Sequence, residues 1–113
     1  MKKRLLGIIT PLGALKSNNA TAIGEYPDLI EFAGLCKKMK IGLIQLLPIN
    51  DTGGQSSPYF GLTAFALHPI YLRISDLNEA ANFKDKAKAI DKNFKDAVRF
   101  PYYQILICYK YFF

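Results

Sequence analysis

Leu43-Ile44-Gln45-Leu46-Leu47-Pro48-Ile49 is a short, mostly apolar run, closed by Gly42 on one side and Asn50-Asp51 on the other. It constrains the fold more than any other stretch of the chain. A strand resting one face on a core alternates polar and apolar residues. This run barely alternates, so it reads as a strand buried on both faces, the habit of parallel sheets covered by helices. That places the chain among α/β folds. The polar loop Thr52-Gly53-Gly54-Gln55-Ser56-Ser57-Pro58-Tyr59 follows, and then a second strand-like piece from Phe65 to Ile74. Loops leaving a buried strand are where such proteins carry their working residues.

Upstream, Leu6 to Thr10 reads as a first strand, stopped by Pro11. Leu12 to Gly24 carries turn residues (Ser17, Asn18, Asn19) and no regular period, so it reads as a polar loop. Pro27 suits the first turn of a helix, with Asp28 and Glu31 near its positive end. Leu29, Phe32 or Ala33, Cys36 and Met39 recur at spacings of three and four and make one apolar face. Lys37, Lys38 and Lys40 complement the negative end, and Gly42 supplies the stop. Strand, helix and strand together have the size of a parallel crossover unit. Beyond Ile74, a helix is expected from Asn78-Glu79-Ala80-Ala81, and Phe83 to Phe100 is charged and mostly helical in character.

With 113 residues and half of them hydrophobic, the chain builds a small core and is not intrinsically disordered. The net charge of +6 raises nucleic-acid binding, but its distribution argues against it. Lys84, Lys86, Lys88, Lys92 and Lys95 are interspersed with Asp85, Asp91 and Asp96, as on a solvated helical face. No basic stripe with interleaved aromatics accompanies them. Two cysteines, Cys36 and Cys108, do not form a disulfide framework, and Cys36 falls on the apolar helix face as a small core hydrophobe. One histidine and no cysteine pair leave no basis for a metal site. Leu5-Leu6-Gly7-Ile8-Ile9 is cut short by Thr10-Pro11 and makes a poor signal peptide, so a cytoplasmic location is expected.

Several of these segments, in this order, resemble the amino-terminal part of the 4-α-glucanotransferases, called amylomaltases in bacteria and disproportionating enzymes in plants. The residues are Leu46-Leu47-Pro48-Ile49-Asn50-Asp51-Thr52, Ser57-Pro58-Tyr59 and Ala64-Phe65-Ala66-Leu67-His68-Pro69-Ile70-Tyr71-Leu72-Arg73. Gly7-Ile8-Ile9-Thr10-Pro11-Leu12 and Ile23-Gly24-Glu25-Tyr26-Pro27-Asp28-Leu29 fall where that family has its first strand and helix. The resemblance implies an α/β fold that is the incomplete N-terminal part of a (β/α)8 TIM barrel, since a whole barrel takes about 250 residues. It implies a maltooligosaccharide or other α-1,4-glucan as substrate, with no metal, no organic cofactor, no nucleic acid and no membrane. The family's reaction is a retaining double displacement: one carboxylate attacks the anomeric carbon, a second serves as acid and then base, and a third helps hold the sugar. None of the nine acidic residues matches those motifs, so no catalytic residue is assigned and the chain alone is expected to be inactive.

What the resemblance does assign is one wall of the donor-sugar site. Tyr59 matches a family tyrosine whose ring packs on the glucose beside the scissile bond, an aromatic face against the apolar face of a pyranose. The plainer reading is a loop tyrosine anchored on the barrel rim. Ser57 lies beside it, to hydrogen-bond the sugar or to brace the loop. Asp51, just past a strand's carboxyl end, is either a sugar contact or the acceptor of an Asx-turn. His68, biased to extended backbone by Pro69, is either near the sugar or a buried hydrogen-bonding residue. Arg73 and Asp76 are expected to pair near the strand end. The tail, 101–113, is atypical of the family, with Lys110 its one charge between Tyr102 and Phe113, and is expected to reflect a premature stop, as through a frameshift. Two rivals stand beside this reading: a non-catalytic stub that binds glucan or docks on protein, and an unrelated small α/β domain.

Overall fold

The two apolar runs pair side by side and in parallel. Strand β1 (Gly7–Thr10) lies against β2 (Leu43–Leu46) in the register Gly7↔Leu43, Ile8↔Ile44, Ile9↔Gln45 and Thr10↔Leu46. Helix α1 (Asp28–Lys38) occupies the connection between them, which makes the expected strand–helix–strand unit. The computed structural model describes residues 4–20 and 23–78, together with Asp85. Apart from Asp85, which is helical, the expected helix beyond Asn78, the charged segment Phe83–Phe100, Cys108 and the aromatic tail lie outside the described residues.

Helix α1 begins where the sequence predicts. Pro27, at the helix boundary, has φ −63° and ψ −26°, and Asp28 and Glu31 stand in the first turn with Lys37 and Lys38 in the last. Its end differs from expectation. Lys40, not Gly42, takes the left-handed conformation with φ +60°, while Lys40 N–H donates to the Lys37 carbonyl and Ile41 N–H to that of Cys36. Those two bonds are a Schellman closure, so the helix stops two residues earlier, on a residue that carries a Cβ. On the expected apolar face Cys36 is buried with a free thiol, but Met39 is exposed. It stands beyond the last helical turn.

β2 is shorter than the apolar run predicts, because Pro48 has no N–H to donate. Leu47 N–H still reaches the Thr10 carbonyl at 3.1 Å, after which the chain leaves the ladder. Nor is β2 buried on both faces: its residues alternate between exposed and half-buried, and so do those of β1. Among the described residues only two strands and one helix are available, too few layers to cover a sheet twice. The core sits elsewhere. Leu12, Ala20 and Ile23, from the segment read as a polar loop, join Cys36 and Ile70. Leu12–Ala14 is a turn of 3-10 helix, and the connection packs because Gly24 N–H donates to the Gly13 carbonyl at 2.9 Å.

The piece from Phe65 to Ile74 is not a third strand. One antiparallel bridge joins Asn50 and Leu67, and 3-10 turns at Pro69–Tyr71 and Ile74–Asp76 replace the rest. Pro69 cannot donate to a ladder, and His68, extended at φ −72° and ψ 121°, caps the first of these turns.

Candidate functional site

The carboxyl end of β2 opens into a long excursion that returns to its own base. His68 N–H donates to the Ile49 carbonyl at 2.9 Å, Asp51 N–H to Ala66 at 2.9 Å, and Leu62 N–H to Asp51 at 2.8 Å. Within it, two tight turns carry the polar sequence. Gly53 N–H donates to Asp51 Oδ1 at 2.8 Å, and Thr52 Oγ1 to the Gln55 carbonyl at 2.6 Å. Gly53 sits at φ +59°, a left-handed conformation that favours glycine, and a Cβ there would meet the flexible Leu62 Cδ1 at 2.7 Å and have to displace it. The second turn runs from Ser57 to Phe60, with Phe60 N–H donating to the Ser57 carbonyl at 3.2 Å.

That second turn presents Tyr59 to solvent, with 71% of its surface exposed. Its ring borders an open cavity of about 350 Å³ together with Pro48, Asn50, Pro58, Leu62 and Thr63. The cavity therefore begins at the end of β2 and is walled by the loop, with its surface divided nearly evenly between polar and apolar and with Asn50 and Thr63 among its polar residues. A ring, prolines and a few amide or hydroxyl groups form a surface suited to a molecule with one apolar face and a hydroxylated edge.

The four residues singled out from the sequence do not converge on that cavity. Tyr59 alone lines it. Ser57 Oγ accepts from Tyr59 N–H at 3.4 Å, which braces the turn. Asp51 closes the Asx-turn on Gly53. His68 is 3% exposed, and its Nδ1 accepts from Ile70 N–H at 3.2 Å. Burial pushes the His68 imidazole below its usual value, against the opposing pull of the Asp51 carboxylate. Sequence reading did not single out Asn50, which lies within the Leu46–Thr52 segment, nor Leu62 and Thr63, which carry no motif; the three come together only when the loop folds back.

Behind the loop stands a charged cluster that sequence reading also missed. Arg73 does not pair with Asp76. Its Nε donates to Glu25 Oε2 at 2.6 Å, and its Nη2 donates to Asp28 Oδ1. The Asp28 carboxylate further accepts from Ser17 Oγ at 2.6 Å and, through Oδ2, from Glu25 N–H at 2.7 Å. Glu25 and Asp28 are each 1% exposed. Burial alone would lower the Arg73 pKa, but hydrogen bonds and charge from both carboxylates outweigh it and raise it. Beside the cluster, Tyr26 N–H donates to the Tyr71 carbonyl at 2.9 Å and Tyr26 Oη to the His68 carbonyl at 3.2 Å. Burial, and then proximity to Tyr71, push the Tyr26 phenol up to about 12, so it stays a donor. Asp28 was read as a helix-end charge, and nothing in a separation of 45 residues marks Arg73 as its partner.

Among the described residues no group of three His, Cys, Asp or Glu side chains stands close enough to hold a metal ion, and no helix is long and apolar enough to cross a membrane. Similarity to known proteins is more direct. The model of the 4-alpha-glucanotransferase family matches residues 10–110. The chain is 45% identical over 74 residues to a 4-alpha-glucanotransferase of Chlamydia caviae, covering 66% of this chain and 14% of that protein. It is 39% identical over 84 residues to the enzyme of that name from Chlamydia pneumoniae, 74% of this chain and 16% of the relative. With a 4-alpha-glucanotransferase of Oryza sativa subsp. japonica it shares 37% over 93 residues, 76% of this chain and 10% of the relative. The chain thus spans at most about a sixth of the length of these relatives. A family match across nearly the whole chain, with the motifs in order around a parallel strand–helix–strand unit, shows that this chain belongs to the 4-alpha-glucanotransferase family.

Proposed function

We propose that this chain forms one wall of the donor-sugar site of a 4-α-glucanotransferase, as the amino-terminal strand–helix–strand portion of a (β/α)8 barrel. The parent reaction passes an α-1,4-glucan segment from one maltooligosaccharide to another by a retaining double displacement. The observation that carries the reading is Tyr59, exposed on a turn at the carboxyl end of β2 and bordering an open cavity. That end of a barrel strand is the working face. A pyranose laid on the ring covers apolar surface, Asn50 lines the same cavity, and the Thr63 hydroxyl, whose oxygen accepts from the Phe65 and Ala66 N–H groups, keeps its own proton to donate to a sugar hydroxyl. On this reading Ser57 and Asp51 hold the loop in shape, with backbone N–H groups as their partners.

The chemistry needs a nucleophilic carboxylate and a proton donor, and none of the nine acidic residues here matches the family's motifs for either. The chain by itself therefore binds sugar without turning it over. The test is a titration of the 113-residue chain with maltotriose, followed by NMR of its tyrosine rings, beside an assay for glucose and longer oligomers. Saturable shifts are expected in the wild type and not in Tyr59→Ala, whose melting point stays unchanged because the ring is exposed. Equal binding by the two proteins would exclude the stacking role. Turnover by the chain alone would move the catalytic assignment onto its own Asp or Glu residues.

A further inference from the structure

The loop that carries Tyr59 is closed by its own main-chain and turn hydrogen bonds but buries little apolar surface. Tyr59, Phe60, Leu62 and Phe65 are all largely exposed, so burial does not fix where the loop lies. It is fixed at its two ends. The outgoing end is the continuation of β2. The returning end, His68 to Arg73, in which Ile70 is fully buried, is docked beside the amino-terminal end of α1 by the bonds of Tyr26 to the Tyr71 and His68 carbonyls and by the fork of Arg73 on Glu25 and Asp28. Asp28 is in turn held by Ser17 from the β1–α1 connection. Residues 45 and 48 positions apart in sequence meet at this one guanidinium.

We propose that Arg73 is a positioning residue for the sugar-binding loop: its buried fork on Glu25 and Asp28 sets the return of the loop, and through the Asn50–Leu67 bridge sets where Tyr59 stands over the cavity. Arg73 is not a contact for the sugar and is not among the residues lining the cavity. A structural ion pair of ordinary kind would raise stability everywhere alike. This one ties a single loop to a single helix end. Arginine is suited to it because a planar guanidinium serves two carboxylates from different atoms at once, whereas the point charge of lysine is shared between them.

The proposal deepens the donor-sugar reading and rests on it for the ligand, but its mechanical half is tested without sugar. In Arg73→Lys, amide hydrogen exchange is measured on the free 113-residue chain. The amides of Asp51, Leu62 and His68, which close the loop on itself, should exchange faster by about tenfold or more, the worth of one charge-assisted hydrogen bond. Leu47 and Met39, bonded in the sheet and the helix, should be unchanged. Glu25→Gln, which keeps the volume and an acceptor but removes one charge, should show the same pattern more weakly and serves if the lysine variant does not fold. Equal acceleration at every amide, or none, overturns the proposal. In the second arm, maltotriose binds Arg73→Lys more weakly by a similar factor while the Tyr59 ring shifts at saturation stay those of the wild type. Unaltered affinity beside a loosened loop overturns the link to the sugar. A wild-type chain that gives no maltotriose response removes the donor-sugar reading, and the exchange pattern still decides whether the fork holds the loop.

Discussion

Replacing Gly24 by alanine should damage the fold, although alanine is the gentlest of side chains. A Cβ at this position would lie 2.2 Å from the Leu12 carbonyl oxygen and 2.8 Å from the Leu15 nitrogen. Carbon and oxygen settle at about 3.3 Å, so the two backbones must part by roughly 1 Å. Both neighbours are main chain and cannot swing aside like a flexible side chain. The parting also loosens the hydrogen bond from Gly24 N–H to the Gly13 carbonyl, 2.9 Å long, beside the buried Leu12 and Ile23. Overpacking of this kind costs about 1–3 kcal/mol. A lost hydrogen bond adds about 0.5–1.5 kcal/mol. Stiffening of the unfolded chain by alanine returns about 0.4–1 kcal/mol. The balance is a destabilisation near 2 kcal/mol, or a fall in Tm of roughly 10 °C for a domain of this size. Gly34→Ala is the matched control. It lies within α1 with nothing within 4 Å of its Cβ, so it should gain about 0.5–1 kcal/mol. Thermal unfolding followed by circular dichroism compares the two. A Gly24→Ala protein melting within about 2 °C of wild type would show that the connection yields, and would refute the rigid packing argued for it.

Arg73→Met should cost more, about 3–5 kcal/mol in urea unfolding, because it removes the Arg73 guanidinium from two carboxylates that stay buried. A loss under about 1 kcal/mol would mean that water reaches the two carboxylates once the arginine is gone. His68 makes stability depend on pH. Its folded-state pKa lies below the usual 6.5, so the unfolded chain takes up the proton first. The contribution of the neutral ring is whole above about pH 6.5 and declines as the pH falls from there toward the lowered value. Protonation at Nδ1 also removes the acceptor for Ile70 N–H. His68→Gln should flatten this slope in unfolding measured between about pH 7 and 5, and an unchanged slope would assign it to other groups.

Much of the architecture was legible in local sequence. The two paired strands, the helix with its Pro27 start, the buried Cys36 and the extended backbone at His68 follow from patterns within a few residues of each site, where propensity and periodicity act, whereas the third strand expected from Phe65 to Ile74 is replaced by 3-10 turns. The Asx-turn at Asp51 was one of two readings left open. What the local pattern did not disclose has a common cause. Met39 and β2 are more exposed than their apolar character suggests, because hydrophobicity states a preference for burial but not which neighbours are present to provide it. Lys40 ends α1 in a conformation usually left to glycine, since satisfying two helix carbonyls outweighs the crowding of one Cβ.

Composition and motif order determined that this is an α/β chain of the 4-alpha-glucanotransferase family with an aromatic, glycine-bearing loop after its second strand. Tertiary structure alone decided that Tyr59 shares its cavity with Asn50, Leu62 and Thr63, and that Arg73 turns away from Asp76 to Glu25 and Asp28. The physical reason is that a charge or a ring finds its partner by proximity after folding. Residues 45 or 48 positions apart leave no spacing in the sequence by which to know one another.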